Sequence, residues 1–181
     1  EVADYVHSTE IQIKNGCVFY EGEEVHNTLT ERILTFMQEG LPVKPLVNFL
    51  TKLMQNPSYS ARQELFDFLE HKLLPVTEDG DFLAYKAVNS TYMDKYTQKV
   101  SNTIGSSVEM VRWNVDDDRG HGCASGLHAG TLEYVQSYGC FHDGDGADKC
   151  IIVKINPTDV VSVPTDSGCQ KLRTCKYLVL R

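Results

Sequence analysis

The pattern of apolar and polar positions at the start of the chain alternates with a period of two. Residues 10–20 read EIQIKNGCVFY, and the alternation runs on both sides of Asn15 and Gly16. An Asn-Gly pair between two alternating runs is a strong signal for a tight β-hairpin. The pattern therefore predicts a strand at 9–14, a two-residue turn and a second strand at 17–21.

Between residues 27 and 73 the apolar positions recur with helical spacing. A capping-box pattern, Thr28-x-x-Glu31, opens the first predicted helix, and Gly40 and Pro42 end it. The second helix is predicted at 43–55 and the third at 60–73, with Pro75 beyond it. We expect one apolar face of each helix to meet in a common core, which contains Phe36, Phe49, Leu50, Phe68 and Leu69.

After residue 76 the period returns to two. The predicted strands are 82–88, 108–113, 127–129, 150–155, 160–163 and 171–180, with one helix at 131–138 that begins at Thr131. The predicted fold class is α+β. An N-terminal hairpin and small three-helix lobe occupy 1–75, and a mixed β-sheet domain with one or two helices occupies 76–181. Trp113 is expected to be at least half buried.

Composition and charge narrow the classes of function. The chain has 181 residues, a net charge of −8 and no apolar run long enough to span a membrane. Negative charge opposes binding to a phosphate backbone, so nucleic acid is not an expected partner. The negative charge is concentrated at 109–148, with eight acids against two bases, whereas 149–181 has six bases against two acids. The six cysteines form no CxxC pattern, and we expect six free thiols in a reducing compartment.

The densest group of chemically active side chains lies at 116–128. It contains three carboxylates, two imidazoles, a thiol and a hydroxyl. Two functional interpretations are a nucleophilic pair of Cys123 with His121 or His128, and a metal site that contains Asp116, Asp118, His121 and Cys123. The interpretation that we favour is a structured loop that leads into a buried strand. The run at 143–148 resembles a calcium loop but lacks the closing glutamate. The sequence thus predicts no catalytic residue, metal or cofactor.

A second arrangement combines residues from three predicted strands. The order of these strands loosely resembles ADP-ribosyltransferase-like folds, in which similar positions surround a dinucleotide. The late acidic residue of those enzymes has no counterpart here, because the last strand carries basic residues instead. This resemblance implies a degenerate pocket that binds an anionic nucleotide without transferring a group. Its predicted ligand-binding residues are Tyr85, Lys86, Ser125, His128, Lys171 and Arg173.

Eight ordered segments carry a closer resemblance, which covers about residues 10–181. They are EGLP at 39–42, PLVNFL at 45–50, NPS at 56–58, LPVTEDGDFLAYK at 74–86, VDDD at 115–118, CASGLH at 123–128, VKINPTDVVSVP at 153–164 and KLRTCKY at 171–177. Together they resemble bacteriophage RIIB-like proteins of the rapid-lysis locus. Such proteins usually carry a further N-terminal segment, so we expect this chain to begin after it.

The resemblance implies a phage accessory protein that protects infection from host or prophage exclusion. It implies an RIIA-like phage protein or a host factor as partner, and a location in the host cytoplasm, peripheral to the membrane only through that partner. No catalytic residues follow from it. Three hypotheses therefore stand: an interaction protein that acts by binding, a nucleotide-binding anti-defence module, and an enzyme that uses Cys123 with His128.

Overall fold

The computed structural model describes residues 5–6, 10–25, 28–71, 74–137 and 148–181. The chain opens with a small antiparallel sheet whose strands follow one another in sequence: β1 (Tyr5–Val6), β2 (Ile11–Lys14), β3 (Cys17–Tyr20) and β4 (Glu23–Glu24). Asn15 and Gly16 both have positive φ, 52° and 76°, as a type I′ turn requires. The predicted hairpin is confirmed, and it gains one short strand on each side.

Three helices follow, as the apolar spacing predicts: α1 (Thr28–Gln38), α2 (Lys44–Met54) and α3 (Tyr59–His71). Pro45 lies in the first turn of α2, where its missing N–H has no intrahelical partner to lose. Phe49, Leu50 and Phe68 are fully buried, and Phe36 and Leu69 pack against the same core. The predicted helical core is therefore confirmed.

The second half contains a seven-stranded sheet in the order β6-β11-β8-β5-β7-β10-β9. Its strands are β5 (Phe82–Val88), β6 (Ser107–Glu109), β7 (Leu127–Gly130), β8 (Lys149–Ile155), β9 (Val160–Ser162), β10 (Lys171–Thr174) and β11 (Lys176–Val179), and the helix α4 is Leu132–Ser137. The α+β class is confirmed. Among the described strands every pairing is antiparallel, which corrects the expectation of a mixed sheet.

The helices and the larger sheet share one hydrophobic core. The Phe82 ring on β5 lies with its centroid 5.9 Å from that of Phe49 and 6.3 Å from that of Phe68. Asn56, buried after α2, donates hydrogen bonds from Nδ2 to the carbonyls of Pro157 and Val160, both at 2.8 Å. The division at residue 75 stays a prediction, since apolar and polar contacts cross it.

Two boundaries differ from the sequence prediction for a local reason. The expected strand at 171–180 is divided into two strands, because the strand is interrupted at Cys175. The Cys175 N–H donates to the carbonyl of Asp159 instead of to a neighbouring strand. The expected strand at 108–113 ends at Glu109, and Arg112–Asn114 forms a short 3-10 turn. The Arg112 side chain holds this turn against the residues after α2 and β8. Its guanidinium donates hydrogen bonds to Asn56 Oδ1 and to the carbonyls of Thr158 and Val160.

This docking overturns the prediction for Trp113. With Arg112 directed inward, the next side chain faces water, and Trp113 is 94% exposed. The expectation that it is at least half buried is wrong.

Several predictions concern cysteines and loops. Cys17, Cys123, Cys150, Cys169 and Cys175 are free thiols, while Cys140 lies outside the described residues. The predicted loop at 139–149 and the calcium-like run at 143–148 also fall largely outside them. In the part of the chain that the structure describes, no helix is both long and apolar enough to cross a membrane.

Candidate functional site: a cavity between two strands

The larger sheet opens between two of its central strands. Within the described chain, β5 and β7 pair at a single position, Tyr85 with Gly130, although β5 continues to Val88 and pairs along its whole length with β8. Beyond Tyr85, the Lys86 side chain takes the place of the backbone pairing and donates from Nζ to the carbonyl of His128 at 3.0 Å. A lysine thus satisfies a carbonyl that a continuous sheet would have paired.

A cavity of about 530 Å³ lies at this opening. Its walls include residues 85–87 of β5 and 127–129 of β7. Four tyrosines contribute to the lining: Tyr85, Tyr96, Tyr134 and Tyr177. Clefts of 300 to 1,000 Å³ with apolar and aromatic walls and a few polar groups are the common form of small-molecule sites.

Gly130 permits one of these tyrosines to approach the sheet. A Cβ atom on Gly130 would lie 2.7 Å from Cδ1 of Tyr134 and 2.8 Å from the carbonyl oxygen of Gln170. The predicted N-cap of α4 is in place, because the Tyr134 N–H donates to Oγ1 of Thr131 at 3.2 Å. Both features set the Tyr134 ring against the end of β7.

An ordered loop forms another part of the wall. The Asp94 carboxylate accepts hydrogen bonds from the N–H groups of Thr97, Lys99 and Val100 at 2.6 to 3.0 Å. Although desolvation opposes ionisation, these bonds and the Thr97 hydroxyl lower the pKa of Asp94 to about 2. The same loop carries Tyr96, which is 93% exposed.

Lys86 is a half-buried cation of the cavity lining. Desolvation lowers the pKa of its ammonium to about 8, against the opposing attraction of the Asp94 carboxylate. Nζ lies 5.9 Å from the centroid of the Tyr177 ring. The Tyr177 hydroxyl donates to Asn102 Oδ1, and burial raises its pKa. At neutral pH the cavity therefore holds the Lys86 ammonium near the neutral Tyr177 phenol.

His128 is held in its neutral form. Desolvation, followed by the charges of Lys86, Lys171 and Arg173, lowers the pKa of its imidazole to about 4. Its Nε2 atom is buried and makes no hydrogen bond to the described residues. His128 is thus a neutral group between several cations.

Four of the six predicted ligand-binding residues line this cavity: Tyr85, Lys86, Ser125 and His128. Lys171 and Arg173 do not. They are buried on β10, where Arg173 lies opposite His128 in the ladder with β7.

Lys171 and Arg173 donate hydrogen bonds to residues of the loops that precede β7 and β10. Lys171 Nζ binds Asp166 Oδ2 and the carbonyl of Gly122, both at 2.7 Å. Arg173 donates from Nε to Ser162 Oγ at 2.8 Å and from Nη2 to the carbonyl of Asp118 at 2.6 Å. As ligand-binding residues they stay a prediction, to which this geometry adds no support.

The Cys123–His hypothesis gains no support from the geometry. Cys123 is exposed at the cavity, and no hydrogen bond described for it reaches His121 or His128. His121 Nδ1 instead lies 3.0 Å from Asp116 Oδ2, and this hydrogen bond raises the pKa of the imidazole. In the described ranges, no three His, Cys, Asp or Glu side chains gather as a metal would require.

Sequence reasoning missed most of the aromatic wall. Tyr96, Tyr134 and Tyr177 come from a loop, a short helix and a strand, and no spacing connects them. Asp94 and Thr97 did carry a local signal, since Asp with a hydroxyl residue three positions later commonly closes a turn. That signal indicates loop structure and gives no indication of a cavity.

Comparison with known proteins adds two matches. A family model described as "Bacteriophage T4 protein rIIB" matches residues 3–181. A relative, "Protein rIIB" of Enterobacteria phage T4, is 38% identical over 173 residues, which cover 96% of this chain and 54% of the relative. The chain thus spans about half the length of the curated relative it matches. No solved structure matches significantly, so the loose likeness to ADP-ribosyltransferase folds stays a prediction.

Proposed function

The chain belongs to the family of bacteriophage T4 protein rIIB, and from that premise we propose that it is a phage accessory protein that protects infection by binding rather than by catalysis. The cavity between β5 and β7 is its binding site. The protein works in the host cytoplasm, with an RIIA-like phage protein or a host factor as partner. Any contact with the membrane runs through that partner.

One observation carries this proposal: a cavity of small-molecule size that brings a half-buried cation, a neutral imidazole and four tyrosines together. A nucleophile hydrogen-bonded to a base is the usual sign of covalent catalysis, and no hydrogen bond described for the cavity's thiol, Cys123, reaches His121 or His128. The net charge of −8 opposes attraction to an anionic bilayer.

The test uses the phage gene that encodes this chain. Lys86→Met and Tyr134→Ala change the cavity wall. Lys44→Met changes an exposed lysine outside the cavity lining, whose Nζ lies 3.7 Å from Glu78 Oε1. We expect both cavity variants to plate as poorly as a gene deletion on hosts that carry an excluding prophage. All three should plate like the parent on prophage-free hosts.

Two results would overturn the proposal. One is equal plating of the deletion and the parent on both hosts, which removes the protective role. The other is parental plating of both cavity variants where the deletion fails, which removes the cavity from that role. Immunoblots of infected cells check that each variant accumulates.

A pull-down from infected cells tests the partner. We expect the tagged chain to recover an RIIA-like phage protein or one reproducible host factor. Recovery of neither would contradict the partner assignment while leaving the cavity assignment to the plating test.

A further inference from the structure

Two lysines, Lys86 and Lys95, and the Asp94 carboxylate line the cavity, and the two ammonium groups differ in their partners. An ammonium has three N–H donors, and in the described structure Lys86 uses one, toward the His128 carbonyl. No described carboxylate lies within ion-pair distance of its Nζ. Lys95, the other lysine of the lining, is instead paired with Asp148 at 2.6 Å. Lys86 therefore keeps two donors for a ligand.

The rest of the lining favours a flat apolar body. Tyr85, Tyr96, Tyr134 and Tyr177 come from four separate segments and line the same volume. Aromatic side chains bind planar rings by stacking and edge contacts, with little dependence on the identity of the ring. A ligand that used this wall and Lys86 together would carry an aromatic ring and an anionic group.

A second anionic group would meet repulsion. The Asp94 carboxylate belongs to the same lining, and its hydrogen bonds to three backbone N–H groups keep it ionised. Lys171 and Arg173 do not line the cavity, and their hydrogen bonds go to Asp166, Gly122, Ser162 and Asp118.

We propose that the cavity binds a nucleoside 5′-monophosphate, with the phosphate at Lys86 Nζ and the base among the tyrosines. This inference rests on the proposed binding function and names the ligand class of that same site. It also narrows the anionic nucleotide implied by the resemblance to ADP-ribosyltransferase-like folds to a ligand with one anionic group.

Binding should weaken in alkaline solution. The titratable and charged groups that line the site are the Lys86 ammonium, the Asp94 carboxylate, Lys95 in its pair with Asp148, the Cys123 thiol, His128 and the phenols of Tyr85, Tyr96, Tyr134 and Tyr177. Above the Lys86 pKa of about 8 the ammonium is lost, whereas the Tyr177 phenol stays neutral and His128 is already neutral. The attraction for phosphate therefore falls while the repulsion from Asp94 remains.

Isothermal titration of the whole chain tests the proposal. The probes are AMP and GMP, with adenosine, inorganic phosphate and ADP-ribose as comparisons. We expect the monophosphates to bind more tightly than each comparison compound, and Lys86→Met to weaken AMP binding by roughly 10- to 100-fold. Lys149→Met is the matched control, because this lysine lies 4.0 Å from the Tyr92 ring and outside the cavity lining, and it should leave AMP binding unchanged.

Four outcomes would overturn the proposal. Adenosine that binds as tightly as AMP removes the role of the anionic group, and phosphate that binds as tightly removes the role of the ring. Unchanged AMP affinity in Lys86→Met removes the residue assignment. If neither monophosphate binds but cavity variants still fail in the plating test, the ligand class is wrong and the binding function stands; if the cavity variants also plate normally, both fall.

Discussion

Basic side chains stand on both sides of β7, and their surroundings differ. On the β10 side, Arg173 is fully buried and Lys171 is 3% exposed, and both donate hydrogen bonds to oxygens of the protein. Arg173 Nη1 makes no hydrogen bond to the described residues and lies 3.6 Å from Asp116 Oδ1. On the β5 side, Lys86 makes one hydrogen bond and faces a cavity. Lys171 and Arg173 therefore stabilise loops, whereas Lys86 keeps N–H donors that no acceptor among the described residues uses.

The difference shows that the function of a basic residue depends on its acceptors more than on its strand. All three cations lie close to His128, and each contributes to its lowered pKa. Proximity alone would assign them to one site. The hydrogen bonds separate them into a structural group and a candidate ligand-binding group.

The largest effect should come from removing the structural group's central member. Arg173→Met leaves the carbonyl of Asp118 and the hydroxyl of Ser162 without their buried donor, and leaves Asp116 without the guanidinium 3.6 Å away. Loss of one member of a buried polar network typically costs about 3–5 kcal/mol of unfolding free energy. Urea denaturation at neutral pH measures it.

Arg32→Met provides the matched control. Arg32 is half-buried and packs over the Phe36 ring at 5.5 Å, so its loss should cost less than about 1 kcal/mol. Equal costs for the two arginines would contradict the structural role given to Arg173.

Local signals in the sequence predicted much of this fold. The Asn15–Gly16 turn, the helical spacing of Phe49 and Phe68 and the alternation at 82–88 each act within a few residues, and each element formed as expected. Trp113 shows the limit. Its exposure depends on bonds from Arg112 to Asn56, Thr158 and Val160, which are more than 40 positions away along the chain.

The candidate site was predicted only in part for a related reason. The sequence identified six polar or aromatic residues near predicted strand ends, and four of them line the cavity. It could not show that β5 and β7 separate after Tyr85. Nor could it show that Lys171 and Arg173 donate hydrogen bonds to Asp166 and to the loop at 116–122. These features depend on strand register and long-range hydrogen bonds, which residue spacing does not determine.

A smaller effect should separate Lys86 from the structural cations by its pH dependence. Its folded-state pKa, about 8, lies below the ordinary value of 10.5, so between these values the unfolded chain binds more protons. Stability therefore rises with pH across that window, and the cost of burying the ammonium is fully present below pH 8. Because the cavity leaves the ammonium partly hydrated, we expect this cost to be on the order of 1 kcal/mol.

Denaturation of the parent and Lys86→Met at several pH values measures this contribution. The variant should be the more stable at pH 7, and its advantage should shrink between pH 8 and 10.5. Lys86→Arg keeps the charge without titrating in this range, so it should gain no stability at pH 7. A difference between parent and Lys86→Met that stays constant with pH would show that Lys86 is not desolvated as described.

The smallest effect concerns His128, which lies between the two groups of cations. Desolvation is the first cause of its lowered pKa, and the Lys86 charge is the second. We expect NMR titration to give a pKa of about 4, and Lys86→Met to raise it by less than about one pH unit, since desolvation remains. Between this value and the ordinary 6.5, the unfolded chain binds more protons, so His128 lowers stability as the solution is acidified through that window.

His121, whose pKa is raised mainly by its hydrogen bond to Asp116, should titrate identically in both proteins. An ordinary pKa for His128 in the parent would mean that the opening between β5 and β7 is more hydrated than its packing indicates, and it would contradict the desolvation assigned to that side of β7.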